Sequence, residues 1–527
     1  MFKIFNSLVV LSLSGLIASA QTAAPSGPQT DGSFRKVVLD SDEQVDGKWK
    51  DTLVDPMELA VDRDGRVFYA QRNGVVKMWK PDTKKSVVVA EIPVFTTGGS
   101  NLEDGMLGIT LDPNFVQNGW VYLNHSVPET TKDQNGAKKG IIRVSRYTLK
   151  DDKLQLDSEK KVLDIPTQRE QCCHVGGSLA FDKDGNLYIA IGDNTNPFDS
   201  DGYSPHDERS GRSPWDAQKS AANMNDLRGG VSRIHPEPDG TYTIPKGNLF
   251  PPGTPGTRPE VFVKGTRNSF RIAVDQKTSI LYWGDVGPDS GAIDPKRGPA
   301  GFDAVMQARK PGFFGWPYSR GDNKPYNKID FDARQQFLDK KTAYDKAVKE
   351  AKSKNLPVPP DLKKPVEEYA TSSTVFNPEH PVNNSPNNTG IHDLPPTQPA
   401  FIWYANTSAR FPVLNGGGGR TAMAGPVYYF DPNNKSTTKL PKEFDHCLFI
   451  YEWSRNWIIA VHLDKDENIQ KNADGSYRME RFCEHMTFKR PMDMELGADG
   501  CLYLIEFGTA WGNNTDTQIV RLEYAGQ

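Results

Sequence analysis

The sequence is poor in cysteine, in long hydrophobic runs and in clustered positive charge. Its 5 cysteines among 527 residues form neither a Cys-x-x-Cys-His haem motif nor a zinc-binding pattern. No apolar stretch after residue 20 reaches the roughly 20 residues that a membrane-spanning helix needs. The formal net charge is −4 and no basic block stands out, which argues against a nucleic acid partner. No Gly-x-Gly-x-x-Gly turn follows a predicted strand, so a Rossmann-type nicotinamide or flavin site is not supported.

The sequence is rich instead in turn-forming and aromatic residues. It contains 46 glycines and 39 prolines, and 10% of its residues are aromatic while only 36% are hydrophobic. This composition is typical of many short strands joined by turns. It predicts an all-β fold.

The first 20 residues have the pattern of a secretory signal peptide. A single Lys3 precedes an apolar run from Leu8 to Ile17, and small residues at 18–20 provide a cleavage site. The run is too short and too interrupted for a membrane anchor. Residues 21–33 then form a polar linker without periodicity. We therefore expect an exported protein, periplasmic or extracellular, with no membrane span after cleavage.

One unit recurs along the chain: an apolar alternation, an acidic turn with Gly or Asn, and a second apolar alternation. Five clear copies begin at Met57, Met106, Gly177, Ser269 and Met492. A sixth, degenerate copy fits between Gly425 and Asp464. Each copy reads as a β-hairpin, and radial stacking of four-stranded blades buries apolar faces that an isolated hairpin leaves exposed. The repeat predicts a single six-bladed β-propeller over residues 34–527.

Two segments interrupt the repeat. Residues 194–228 are polar and rich in aspartate. Residues 322–399 contain a helical pattern over 332–354 that is ended by prolines, so the propeller carries a partly helical insertion. Insertions of this length either shape a binding site or form a solvated decoration, and the sequence leaves both open.

His174 is the first candidate catalytic residue. It lies directly before a predicted blade strand, where side chains point into the mouth of the central channel, and neutral imidazole is a natural general base. Cys172 and Cys173 precede it. Adjacent cysteines either close a strained vicinal ring or find separate distant partners, and both remain possible.

Two further motifs have the same relation to a blade strand. Residues 265–268 (GTRN) precede one, and Arg267 could form paired hydrogen bonds to an oxyanion or carboxylate. Gly287 and Pro288 form a fixed turn at the end of that hairpin, and backbone carbonyls of such a turn can face a hard cation such as calcium. The alternatives are a surface charge and a tight turn.

Five motifs in order resemble the glucose/sorbosone dehydrogenase family, the soluble sugar dehydrogenases that use pyrroloquinoline quinone (PQQ). The resemblance runs from about Pro56 to Leu522. The matching segments are 103–108 with 112–115, 174–181 with 191–193, 265–268, 287–288 leading into 314–317, and 490–493.

The resemblance implies a role for each motif. His174 would take a proton from the anomeric hydroxyl of a sugar while hydride passes to the quinone. Arg267 would stabilise charge on a cofactor oxygen, and Asn268 would hold the cofactor. The carbonyls of Gly287 and Pro288 would ligate calcium. A cofactor is required in any case, because no protein side chain accepts hydride.

The remaining expected cofactor contacts are less direct. Glu103 stands where the family has a cofactor-contacting glutamine, and Asp493 belongs to the last motif. Arg455 and Arg490 are further candidates, since PQQ carries three carboxylates that attract cations. The substrate would be a small carbohydrate of the aldose type. The electron acceptor would be a separate cytochrome or a diffusible quinone, because the chain has no haem motif.

Two other functions fit an exported propeller. The first is a calcium-dependent hydrolase or lactonase, which would need side-chain metal ligands such as Glu103, Asn268 and Asp285 at the channel. The second is a non-catalytic propeller that binds carbohydrate or a protein. A channel in which His174 and Arg267 face each other would favour an enzyme.

Overall fold

The computed structural model describes residues 31–96, 103–198, 200–294, 297–366, 374–510, 512 and 514–526. The predicted signal peptide at 1–20 and residues 21–30 of the predicted linker lie outside the described residues. Among the described residues, no helix is long and apolar enough to cross a membrane.

Six antiparallel sheets form six blades, each starting with a strand next to the channel. Blade 1 consists of Pro56–Val61, Val67–Gln71, Val75–Lys80 and Lys85–Glu91. Blade 2 consists of Met106–Leu111, Trp120–Ser126, Lys138–Lys150 and Lys153–Gln168, with a short strand Thr131–Lys132. Blade 3 consists of Leu179–Phe181, Leu187–Ile191, Gly230–Pro236 and Val261–Lys264, extended by Tyr242–Thr243 and the parallel strand Gly312–Phe313.

The second half of the chain builds the other three blades. Blade 4 consists of Ser269–Val274, Leu281–Asp285, Asp303–Ala308 and Ile402–Tyr404. Blade 5 consists of Ala422–Tyr428, Cys447–Glu452, Trp457–His462 and Met479–Arg481. Blade 6 consists of Pro491–Leu496, Leu502–Glu506, Gln518–Tyr524 and Phe34–Ser41. Small ribbons pair Glu43–Val45 with Lys48–Lys50 and Ser319–Arg320 with Lys324–Pro325.

The ring is closed by strands from distant parts of the chain. Phe34–Ser41 pairs antiparallel with Gln518–Tyr524, and the register runs from Phe34 opposite Tyr524 to Ser41 opposite Gln518. The inner strands contact each other in the order of the blades, and the inner strand of blade 6 contacts that of blade 1. The predicted all-β, six-bladed propeller is therefore confirmed.

Acidic hairpin turns shape the inner part of the blades. In blade 1, Asp62 accepts hydrogen bonds from the backbone of Asp64 (2.9 Å) and Arg66 (2.8 Å), and Gly65 adopts a φ of 79°. The same pattern recurs at Asp182 in blade 3. A short side chain that binds the backbone two residues on, followed by a residue at positive φ, is the chemistry that such turns need.

The predicted helical insertion is present as the helix Phe331–Ser353. Asp330 caps it by accepting a hydrogen bond from the backbone of Ala333 at 2.9 Å. The buried Arg334 side chain donates to the carbonyl of Asp201, and the ring of Phe331 stacks on Tyr203. The helix thus packs on the first insertion. The other helical segments are Phe115–Asn118 and the 3-10 turns Asp31–Ser33, Ser213–Trp215, Ala217–Lys219, Pro412–Leu414 and Lys442–Phe444.

Candidate active site

A buried histidine and aspartate form the centre of the site. His174 lies in the segment before the inner strand of blade 3, and Asp193 follows the second strand of that blade. His174 Nδ1 and Asp193 Oδ1 are 2.7 Å apart, and both side chains are buried. Because Asp193 occupies Nδ1, the nitrogen left for a ligand is Nε2.

The carboxylate of Asp193 is held by several donors. Its Oδ1 also accepts hydrogen bonds from the Thr195 backbone (3.0 Å) and hydroxyl (2.6 Å), and its Oδ2 accepts one from Trp316 Nε1 (2.7 Å). Burial alone would raise the pKa of Asp193, but the His174 ring and these hydrogen bonds hold that pKa below its usual 3.8. Asp193 therefore stays ionised and selects the tautomer in which His174 Nδ1 carries the proton.

The two cysteines before His174 are joined to each other. Cys172 and Cys173 form a disulfide, which decides between the two alternatives that the sequence left open. The three other cysteines are buried free thiols. Cys173 and His174 both have positive φ, 155° and 55°. Non-glycine residues rarely adopt such values, so the bridge sits at a strained bend directly before the candidate base.

Arg267 and Asn268 are anchored next to this pair. Their backbone amides both donate to Asp285 Oδ1, at 3.0 and 2.9 Å. The Arg267 carbonyl accepts a hydrogen bond from the backbone of Asp193 at 2.8 Å, and the Arg267 guanidinium donates to the Val286 carbonyl. Blades 3 and 4 are therefore locked together at the candidate base.

Glu103 connects blade 2 to the same site. Its Oε2 accepts hydrogen bonds from the Val175 backbone (2.9 Å) and from Asn268 Nδ2 (3.2 Å). This leaves Asn268 Oδ1 buried and without a hydrogen-bond partner. A buried acceptor without a partner is costly in a folded protein, which suits a position that meets a ligand.

A cavity of about 230 Å³ lies beside these residues. Among the residues that line it are His174, Arg267, Pro288, Trp316, His206 and Tyr326. His206 comes from the first insertion and Tyr326 from the second, so both insertions contribute to the wall. The Tyr326 hydroxyl is buried and has no hydrogen-bond partner. The cavity thus brings a base, a cation, aromatic rings and an unpaired hydroxyl together.

Gly287 and Pro288 lie at the same cavity but have a different neighbour from the one expected. The Pro288 carbonyl accepts a hydrogen bond from Arg420 Nη2 at 3.0 Å. The Gly287 amide donates to Asp303 Oδ1 at 3.2 Å. A carbonyl that already binds a guanidinium does not fit the calcium site that the sequence predicts. In addition, no cluster of three or more His, Cys, Asp or Glu side chains able to hold a metal occurs in the described part of the chain.

Asp493 lies outside the cavity, in the wall of the central channel. Its Oδ2 accepts a hydrogen bond from the Leu59 backbone at 2.8 Å, and its Oδ1 is 3.6 Å from Arg271 Nε. Burial raises the pKa of Asp493 to about 6, although Arg271 opposes the shift. Its contacts are those of a structural group that joins blades 1, 4 and 6.

Arg455 and Arg490 also lie away from His174. The Arg455 guanidinium donates to the carbonyls of Leu414, Gly419 and Ala405. The Arg490 guanidinium lies 4.3 Å from the centre of the Trp453 ring. The structure therefore brings together His174, Arg267, Asn268, Glu103, Gly287 and Pro288, and it places the other three candidates elsewhere.

Two residues of the site received no role from the sequence. Asp193 stands inside a matched motif, directly after a strand, which was a usable signal. Arg420 follows a run of four glycines and belongs to no motif. Its position depends on the packing of blade 5 against blade 4.

The chain is similar to several known proteins. It is 27% identical over 236 residues to the hedgehog-interacting protein of Mus musculus, covering 42% of this chain and 31% of that protein. It is 25% identical over 276 residues to the aldose sugar dehydrogenase YliI of Escherichia coli, covering 51% of this chain and 60% of that protein. The alignments thus span less than two thirds of each relative.

The fold has been seen before. The PQQ-bound form of an aldose sugar dehydrogenase from Streptomyces coelicolor superposes with a TM-score of 0.52 at 15% sequence identity, over 94% of this chain and 99% of that one. This likeness supports the propeller architecture. The family model described as glucose/sorbosone dehydrogenase matches residues 53–352, more than half of the sequence. The chain therefore belongs to the glucose/sorbosone dehydrogenase family.

Proposed function

We propose that this protein is an oxidoreductase of the sugar dehydrogenase type, which oxidises a hydroxyl-bearing carbon of an aldose-like carbohydrate with PQQ as cofactor. The observation that carries the proposal is the buried His174–Asp193 pair at a cavity shared with Arg267. Family membership and the two aldose sugar dehydrogenases named above support it.

The histidine is the proton acceptor in this proposal. Nε2 of His174 removes the hydroxyl proton of the sugar, and the imidazolium that forms is stabilised by the Asp193 carboxylate 2.7 Å from Nδ1. Because the donors from Thr195 and Trp316 fix Asp193, the ring is held in one orientation before the substrate enters. This preorganisation lowers the cost of reaching the transition state.

The cofactor would be held by the groups beside the base. When bound, PQQ supplies the hydride acceptor that no side chain can provide. Arg267 would stabilise negative charge on it, and the unpaired Asn268 Oδ1 would receive a hydrogen bond at its edge. Calcium is not part of the proposal, because Arg420 binds the Pro288 carbonyl.

The proposal includes the predicted location. The signal peptide pattern would direct the protein to the periplasm or the extracellular space. Electrons would then leave to a separate cytochrome or a diffusible quinone, because the sequence contains no haem attachment motif.

The test is a titration of the purified apoprotein with PQQ by calorimetry, followed by dye reduction with a panel of aldoses. We expect PQQ binding and turnover in the wild type, and a loss of turnover with retained PQQ binding in His174→Asn. His380→Asn, which changes an exposed histidine, is the matched control and should behave as the wild type.

Absence of both PQQ binding and turnover would refute the proposal. A non-catalytic propeller that binds carbohydrate or a protein would then be favoured. The hydrolase alternative requires side-chain metal ligands at the channel, and the described residues offer no such cluster.

A further inference from the structure

Arg420 is fixed on the turn where the family resemblance places calcium. Its Nη2 donates to two backbone carbonyls, those of Pro288 (3.0 Å) and Gly301 (2.7 Å). Its Nη1 donates to Asn406 Oδ1 at 2.6 Å. The side chain is buried, so these contacts replace hydration and hold the guanidinium in one position.

A carboxylate balances this cation. Asp303 Oδ1 lies 3.5 Å from Arg420 Nε and also accepts a hydrogen bond from the Gly287 amide at 3.2 Å. One carboxylate therefore contacts both the guanidinium and the turn. A buried pair of this kind is stable only when its remaining hydrogen-bonding groups find partners, as they do here through Pro288, Gly301 and Asn406.

A second buried guanidinium supports the other half of the turn. Arg320 is ion-paired with Asp285 and donates to the carbonyls of Asp285 (3.1 Å) and Phe302 (2.7 Å). A Cβ atom on Gly287 would lie 3.1 Å from Arg320 Nη2. The turn is thus flanked by two arginines and two aspartates whose charges cancel. A divalent cation on the Pro288 carbonyl would add two positive charges next to two buried cations.

We infer that Arg420 supplies, at the Pro288 carbonyl, the positive charge that the family resemblance assigns to calcium, and that this site works without a metal ion. The inference rests on the proposed function for the meaning of the site, but the arrangement of Arg420 is a property of the polypeptide alone.

The oxygen atoms around Arg420 make the inference testable by substitution. Removal of the side chain in Arg420→Ala leaves the carbonyls of Pro288 and Gly301, Asn406 Oδ1 and the Asp303 carboxylate around one space. Oxygen atoms of these types are the ligands that calcium prefers. The variant should therefore gain a calcium dependence that the wild type lacks.

The experiment compares full-length wild type, Arg420→Ala and Arg420→Lys after dialysis against calcium or EGTA. Bound calcium per chain is measured by elemental analysis, with and without PQQ, and the thermal midpoint is recorded for each sample. Arg410→Gln, which changes an exposed arginine in the same region, is the control. We expect the wild type, Arg420→Lys and Arg410→Gln to retain no calcium and to melt at the same temperature in both buffers.

Arg420→Ala should melt at a lower temperature in EGTA and recover part of the loss in calcium. One calcium per wild-type chain, removed by EGTA with a fall in the thermal midpoint, would overturn the inference. An equal response of wild type and Arg420→Ala to calcium would overturn it as well. Failure of PQQ to bind in either buffer would instead refute the proposed function, while the calcium measurements on the apoprotein would still decide the role of Arg420.

Discussion

The sharpest prediction concerns Asp193→Asn, a change that preserves shape and removes charge. In the wild type, Oδ1 accepts hydrogen bonds from His174 and from two groups of Thr195, whereas Oδ2 accepts one from Trp316. The new amide nitrogen should face Trp316, because the opposite orientation would set a donor against three donors. The variant therefore keeps the His174 tautomer and loses the negative charge behind the ring.

The expected loss follows from the kind of hydrogen bond that is weakened. A hydrogen bond to a charged group contributes about 1.5–3 kcal/mol, compared with about 1 kcal/mol for a neutral one. The imidazolium would thus lose about 1–2 kcal/mol of stabilisation, which lowers kcat roughly 5- to 30-fold. Removing the base altogether in His174→Asn should cost about 10²- to 10⁴-fold.

The assay is steady-state dye reduction across pH with a saturating aldose. The pKa that limits kcat on the acid side should shift downwards relative to the wild type, because the imidazolium loses its counter-charge. Unchanged kcat and pH profile in Asp193→Asn would refute the role of Asp193 behind the base. A loss as large as that of His174→Asn would refute the argument that the amide turns towards Trp316.

Three further predictions follow from the described contacts. Burial, with Arg297 nearby, lowers the pKa of His206 to about 3 from 6.5, so its neutral form stabilises the fold above pH 6.5 and this contribution is lost as pH falls towards 3. Denaturant unfolding should show about 3 kcal/mol more loss between pH 7 and 4 in the wild type than in His206→Gln, and equal losses would contradict the reasoning. Reduction of the half-buried Cys172–Cys173 bridge, or its replacement by two serines, should lower kcat about tenfold with little change in the thermal midpoint, since 1–3 kcal/mol of backbone strain at His174 loses its support; unchanged kinetics would contradict this. Gly287→Ala places a Cβ 2.0 Å from the Phe302 carbonyl oxygen, so the thermal midpoint should fall by several degrees, and a wild-type midpoint would show that the turn is not packed as described.

Local sequence patterns were enough to predict most of the blades. The turns at Asp62 and Asp182 hydrogen-bond within four residues, so their signal is contained in the hairpin itself. The outer strand Phe34–Ser41 gave no such signal, because its partner lies at the other end of the chain. In blade 5 the first hairpin is interrupted by a long connection between Tyr428 and Cys447, and the repeat is correspondingly degenerate.

The site could be predicted where position along a strand determines direction. His174 and Arg267 each precede an inner strand, and such segments converge at one end of a propeller. Charge alone carried no such information for Arg455, whose guanidinium turns to three carbonyls of neighbouring loops. The position of Arg420 depends on contacts between blades that no local pattern records.

Blade 6 takes its outer strand from the beginning of the described chain and its other three strands from the end. Arg35 and Glu523, which form an ion pair across this junction, are 488 positions apart in the sequence. A ribosome therefore releases the outer strand long before its partner exists, and a growing chain can form only an open arc whose terminal blades lack a neighbour. Closure is the final event of synthesis, and all six blades acquire their last interface in that one step. Removal of a few residues from Phe34–Ser41 should consequently damage the protein as much as removal of its last strand.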